Sequence, residues 1–124
     1  MQSYSLDLSK PMHEMSLCEN ILQTLQQQAN VQHYRKVKTV WLEIGALAGV
    51  ETDALRFSFD SVMLGSIAEH ARLEIIDIPA QAYCSKCAKP VPIEQRYDAC
   101  PECEHFPLQI VSGDQMRIKQ LEVE

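Results

Sequence analysis

Between Cys84 and Cys103 the chain reads CSKCAKPVPIEQRYDACPEC, two C-x2-C pairs separated by twelve residues. Two residues between thiols let both sulfurs of a pair reach one ion from a single tight turn, and two such turns supply the corners of a tetrahedron. The stretch between the pairs is long enough for a hairpin, and Pro101 restricts the second turn. The pattern predicts a structural zinc ion on Cys84, Cys87, Cys100 and Cys103. A closed four-thiolate site keeps no open position for catalysis, so its role is to fold a segment too small to build its own core. A dithiol redox pair is the competing chemistry. Four thiols at matched spacing, with no thioredoxin-like strand and helix around either pair, weigh against it. His105 follows the last cysteine by two residues. It reads as an exposed loop histidine rather than an exchangeable ligand, because four thiolates already complete the site.

A second set of donors lies at Met12-His13-Glu14. A histidine beside a glutamate is ordinarily solvated surface, and His33 and His70 are read that way, as loop or helix-end residues. His13 differs by position, because it precedes a helix start on extended, accessible backbone. Were Met12 the first residue, a free amine, backbone amides and the His13 imidazole could share one plane. Such a nitrogen-rich planar set suits Ni(II) or Cu(II) and not the tetrahedral preference of zinc. Glu14 adds an oxygen donor or a hydrogen bond to a ligand. An ion held by so few side chains can be passed on.

The elements that must position these donors follow from periodicity. Residues 1–11 are polar, end at Pro11 and read as an N-terminal extension without regular structure, a tag or an upstream start. Ser16 and Glu19 form an S-x-x-E capping box, which predicts a helix from Leu17 to about Asn30. Its buried stripe is Leu17, Ile21, Leu25 and Ala29, with Cys18 and Leu22 on the flank, so Cys18 reads as a small core residue. Lys36 to Gly45 alternates as a strand with Val40, Leu42 and Ile44 on one face. Thr52 is the expected N-cap of a second helix carrying Leu55, Phe59, Val62 and Met63, with Gly65 just past its end. Arg72–Ile78 is a second strand stopped by Pro79. Gln115–Val123 is a third, whose alternation slips near Lys119-Gln120 and predicts a bulge. The fold class is therefore α+β: a three-stranded mixed sheet covered by two helices, with a zinc-ribbon-like four-cysteine insert before the last strand. Residues 12–79 plus 109–124 form the α/β domain and residues 80–108 the zinc domain.

Composition narrows the function further. At 46% hydrophobic, the 124-residue chain is an ordinary globular protein. No apolar run approaches the roughly 20 residues of a membrane span, and no signal pattern opens the chain, so a soluble cytoplasmic protein is expected. An odd count of five cysteines without a secretion signal argues against disulfides. The net charge of −6 disfavours nucleic acid as a partner. The insert carries Lys86, Lys89 and Arg96 against Glu94, Asp98, Glu102 and Glu104, and zinc with four thiolates adds further negative charge. A phosphate-binding surface needs the opposite sign. No nucleophile–base set, carboxylate pair or phosphate-binding glycine loop points to an enzyme.

The combination MHEMSLCENIL, VWLEIGALAGVE, RFSFDSVMLGS, PAQAYC-x2-C…CPEC and the closing LEVE resembles the HypA/HybF family, nickel chaperones of [NiFe] hydrogenase maturation. The similarity runs from Met12 to Glu124. It implies nickel on His13 and Glu14 with the Met12 amine, and zinc on the four cysteines. It also implies a nickel-binding GTPase accessory protein and the hydrogenase large-subunit precursor as partners, and a monomer or weak homodimer. This chain departs from the family twice. Residues precede Met12, which removes its free amine, and Pro11 offers no backbone N–H in exchange. Glu104 also stands where the family often has histidine after the last knuckle cysteine. The alternative reading is a zinc-ribbon adaptor that binds protein partners without nickel; a nucleic-acid-binding regulator ranks third.

Overall fold

The computed structural model describes Tyr4, Ser5 and residues 14–124. Its elements are β1 (Tyr4–Ser5), α1 (Glu14–Gln32), β2 (Val37–Gly45), α2 (Thr52–Met63), β3 (Arg72–Ile78), β4 (Gln81–Cys84), β5 (Lys89–Pro92), β6 (Gln109–Ser112) and β7 (Met116–Val123). They form two sheets, ordered β1-β7-β2-β3 and β5-β4-β6. In the first, β2 pairs parallel with β3 and antiparallel with β7. The expected mixed three-stranded sheet is thus β7-β2-β3. To it Tyr4 and Ser5 add a short antiparallel edge strand opposite Ile118 and Arg117. That strand falls within the extension expected to lack regular structure. No helix among the described residues is long and apolar enough to cross a membrane.

Alternation places Val40, Leu42 and Ile44 of β2 in the core beside Leu73 of β3 and Met116, Ile118 and Leu121 of β7. Leu17, Cys18, Ile21 and Leu25 of α1 and Leu55, Phe59 and Met63 of α2 are buried in the same cluster. Each large apolar side chain fully buried there contributes roughly 1.5–3 kcal/mol. The expected slip in β7 is real. Trp41 pairs with Gln120 and Leu42 with Ile118, so Lys119 is the extra residue, and Leu121 returns to the core side.

Helix starts differ from the sequence expectation. Helix α1 already runs at Glu14, so Ser16 lies inside its first turn and the S-x-x-E signature is not its cap. In α2 the cap is Glu51 and not Thr52. Glu51 has extended backbone, and its carboxylate accepts from the amides of Asp53 (3.2 Å) and Ala54 (3.0 Å). A longer acidic side chain reaches the same orphan amides from one residue further out and also opposes the helix dipole. Gly65 follows the helix at φ 74, as expected.

The insert boundary also shifts. Gln109–Ser112, which the sequence assigns to the α/β part, pairs with β4 in the second sheet, Ala82 lying opposite Ile110. Return to the first sheet happens at Gly113, which has φ 93. There three stretches of backbone stack. A Cβ on Gly45 would stand 2.1 Å from the Gly113 carbonyl oxygen, and one on Gly113 would stand 2.4 Å from Ala80 Cα. The Gly113 carbonyl accepts from Leu47 N–H at 2.7 Å, and the Gln115 carbonyl from Gly45 N–H at 2.9 Å. Leu47 then packs against Ala80, Ala82 and Ile93 of the insert. The loop after β2 therefore seats the second sheet on the first.

Gly45→Ala is accordingly expected to lose about 3 kcal/mol or more in denaturant unfolding, because backbone must move to admit the methyl group. Gly49→Ala, at φ 70 with nothing within 4 Å, is expected to lose only about 1–2 kcal/mol from strain. Equal losses would contradict the close-approach role of Gly45.

Candidate metal centre

Strand β4 ends on Cys84, and the chain turns at once. The Ala88 N–H donates to the Cys84 carbonyl at 2.8 Å, and the Cys87 N–H to Cys84 Sγ at 3.4 Å. The second turn repeats this shape: Glu104 N–H donates to the Cys100 carbonyl at 2.8 Å. Both closing residues are left-handed, Ala88 at φ 55 and Glu104 at φ 64. Neither residue type takes that conformation cheaply, at about 1–2 kcal/mol each. Sequence reading missed this cost, because the left-handed residue of such a turn is usually glycine or asparagine.

The two turns bring four sulfurs together. Cys84 Sγ lies 3.6 Å from Cys103 Sγ and Cys87 Sγ 3.9 Å from Cys100 Sγ. All four lie within 4.8 Å of one another. A tetrahedral ion with metal–sulfur bonds of about 2.3 Å needs sulfur–sulfur edges of about 3.8 Å. The 3.6 and 3.9 Å edges match that length, so the four cysteines can close on one ion, and the chemistry of that donor set selects Zn(II) or iron. Cys84 and Cys100 are buried; Cys87 and Cys103 are half-buried. Val91 is buried beside them, with Leu108 packed against the cluster. This core is far smaller than that of the first sheet.

The four sulfurs and the amides around them set one another's ionisation. Burial pushes the Cys100 thiol up, but the backbone amides of Cys103 and Glu102 turn toward its sulfur and bring it down to about 7. Cys87 is pushed up to about 12, chiefly because it donates to the Cys103 sulfur, and also by burial. At Cys103 the His105 backbone amide pulls downward, yet burial and the neighbouring thiols leave the net shift upward. One sulfur is thus ready to ionise near neutral pH, and a cation must displace protons from others.

His105 is not among the metal-capable group, which holds the four cysteines alone among the described residues. Its Nε2 lies 3.3 Å from Ser85 Oγ, joining the second knuckle to the first. Its carbonyl accepts from the Cys100 N–H at 2.9 Å. Lys89 Nζ pairs with Glu102 at 2.8 Å across the same gap, an exposed contact of little stabilising weight.

Of the second donor set, Met12 and His13 lie outside the described residues, and Glu14 is the half-buried first residue of α1. Cys18 is a core residue, as expected. It is buried, its thiol faces the Leu55 carbonyl at 3.7 Å, and burial, with Glu14 and Glu19, pushes it up to about 12. His33 closes α1 at φ 61, and His70, at φ 67, is an exposed turn residue 3.4 Å from Glu69.

Comparison with known proteins adds the following. The family model for hydrogenase/urease nickel incorporation, metallochaperone, HypA, matches residues 12–123. A hydrogenase maturation factor HypA of Azotobacter chroococcum mcd 1 is 55% identical over 113 residues, covering 91% of this chain and 100% of that protein. A second, from Rhodopseudomonas palustris strain BisA53, is 50% identical over the same coverage. The solution structure of the Ni metallochaperone HypA from Helicobacter pylori aligns with a TM-score of 0.68, over 90% of this chain and 97% of that one. At 23% identity that likeness is one of fold.

Two outcomes follow from the geometry. Loading the metal-free protein with Zn(II) at pH 8 is expected to release at least two protons per ion, from Cys87 and Cys103 among others, measured by calorimetry in buffers of different ionisation enthalpy. Affinity should fall as the pH drops, since protons then compete for the sulfurs; proton-free binding would contradict this. Ala88→Gly is expected to raise the stability of the loaded protein by up to about 1 kcal/mol, read from thermal unfolding, and a loss would argue against strain at that turn.

Proposed function

The chain belongs to the HypA family of hydrogenase/urease nickel-incorporation metallochaperones, and from that premise we propose that it carries Ni(II) as transient cargo through His13 and Glu14. In this reading Zn(II) resides on Cys84, Cys87, Cys100 and Cys103 and ties the two knuckles together. The cargo goes to the large-subunit precursor of a [NiFe] hydrogenase, with a nickel-binding GTPase as accessory partner. The chain acts as a maturation factor and not as an enzyme.

The observation that supports this division most strongly is the closed sulfur cluster. Its four sulfurs lie within 4.8 Å of one another, as many donors as a closed tetrahedral site takes. Cargo that must arrive and leave needs a different, less saturated site, and the donors at the start of the matched region supply one. Imidazole nitrogen, backbone amide nitrogen and a carboxylate favour a planar nickel geometry over the tetrahedral one. With Met12 as first residue its amine joins that set. In the full chain the same nitrogen is an amide behind Pro11, which has no N–H of its own.

A chain beginning at Met12 is therefore expected to bind Ni(II) more tightly than the full chain, with a planar absorption band that the full chain lacks or shows weakly. His13→Ala in the shorter chain should abolish nickel binding while zinc content stays unchanged. Equal affinities would remove the amine from the ligand set. Retention of nickel by His13→Ala would remove the imidazole. A Met12-initiated chain indifferent to nickel would favour a zinc-ribbon adaptor instead.

A further inference from the structure

Edge strands expose unpaired amides and carbonyls and invite other chains to pair, so folded proteins blunt them. Among the described residues, three sheet edges are blunted by the chain's own side chains or backbone. On β3, the Arg56 guanidinium reaches over from α2 and donates to the Leu73 carbonyl at 2.7 Å. Strand β5, Lys89–Pro92, carries Pro90 and Pro92, which cannot donate to a further strand. Strand β6 is broken by a register shift, since Gln81 pairs with Ser112 and Ala82 with Ile110, leaving Val111 as the extra residue. The outer edge of β7 is treated differently. It receives a strand, β1, with Tyr4 opposite Ile118 and Ser5 opposite Arg117.

The sequence around β1 suits that place. In SYSLDL, residues 3–8, Tyr4, Leu6 and Leu8 alternate with Ser3, Ser5 and Asp7, the period of a half-buried strand. The relatives from A. chroococcum and R. palustris are matched over their entire length by 113 of the 124 residues here, and the family model begins at residue 12. The strand that fills the β7 edge is thus supplied by a segment outside the family region.

We infer that the outer edge of β7 is a docking site for one extended polypeptide strand of alternating apolar and polar residues, filled in this chain by its own Tyr4 and Ser5. Antiparallel backbone pairing supplies the binding and the alternation sets the register, the recognition mode of strand addition to a sheet edge. A chain beginning at Met12 presents the same edge to a strand from another polypeptide. The inference rests on the pairing of β1 with β7 and not on the nickel reading.

Hydrogen exchange of the full chain tests the docking. The Arg117 or Ile118 amide, whichever points to the outer edge, should exchange about tenfold or more faster in the double variant Tyr4→Pro, Ser5→Pro, while amides of β2 keep their protection. Protection should not depend on protein concentration, because the strand comes from the same chain. Unchanged exchange at both β7 amides, or protection that rises with concentration, overturns the intramolecular docking. A labelled peptide MQSYSLDLSK then probes the edge in trans. The chain beginning at Met12 should bind it at least about tenfold more tightly than the full chain, whose own strand competes. The peptide with both prolines should not bind. Equal binding of the native peptide by the two chains, or none by either, overturns the edge as a docking site for a second polypeptide.

Discussion

Four thiols held within 4.8 Å of one another are the constraint on which the second half of the molecule depends. They cannot all ionise without a cation between them, and unionised they add little beyond a few weak sulfur hydrogen bonds. The surrounding core is slight: Val91 beside two buried cysteines, and Ala80, Ala82 and Ile93 beneath. Against this stand two left-handed turn residues, Ala88 and Glu104, which cost energy wherever they occur. A bound ion offsets both deficits, because it turns the sulfurs from competing proton acceptors into a common anchor. Folding of the insert and metal occupancy are then one equilibrium.

The first sheet needs no such device. Its core gathers the apolar face of a mixed sheet under two helices, with Phe59, Leu17, Ile21, Leu25 and Leu42 fully buried. The two parts meet through backbone as much as through side chains. Gly45 ends β2 against Gly113, Gly113 lies against Ala80, and Leu47 inserts into the insert's core. Contacts that close between main chains hold the insert at the end of the sheet. A division follows in which one part is a sheet under two helices, while the other is built around sulfur.

Much of this was legible in the sequence because it rests on short-range periodicity and fixed spacing. Val40, Leu42 and Ile44 alternate, Leu17, Ile21 and Leu25 recur along a helix, and C-x2-C twice over defines the tetrad. The bulge at Lys119 was visible as a single slip in alternation. What escaped depends on partners far along the chain or on backbone choice. Ser16 and Glu19 have the residues of a cap, but helical structure already extends back to Glu14. Glu51 caps α2 because its backbone is extended and its carboxylate reaches the amides, a choice Thr52 could equally have made by composition. Gln109–Ser112 looks like an approach to the last strand, yet it pairs with β4, a contact set by the insert and not by local pattern. The strand at Tyr4–Ser5 was hidden among polar residues whose alternation is brief.

The account depends on two metals keeping to two kinds of donor: sulfur for the resident ion, nitrogen and oxygen for the cargo. X-ray absorption at the nickel and zinc edges of a Met12-initiated chain, loaded with one equivalent of each metal, tests that separation most directly. The account predicts zinc surrounded by four sulfurs at about 2.3 Å and nickel surrounded by nitrogen and oxygen with no sulfur. Sulfur in the nickel shell, or nitrogen replacing sulfur around zinc, would contradict it.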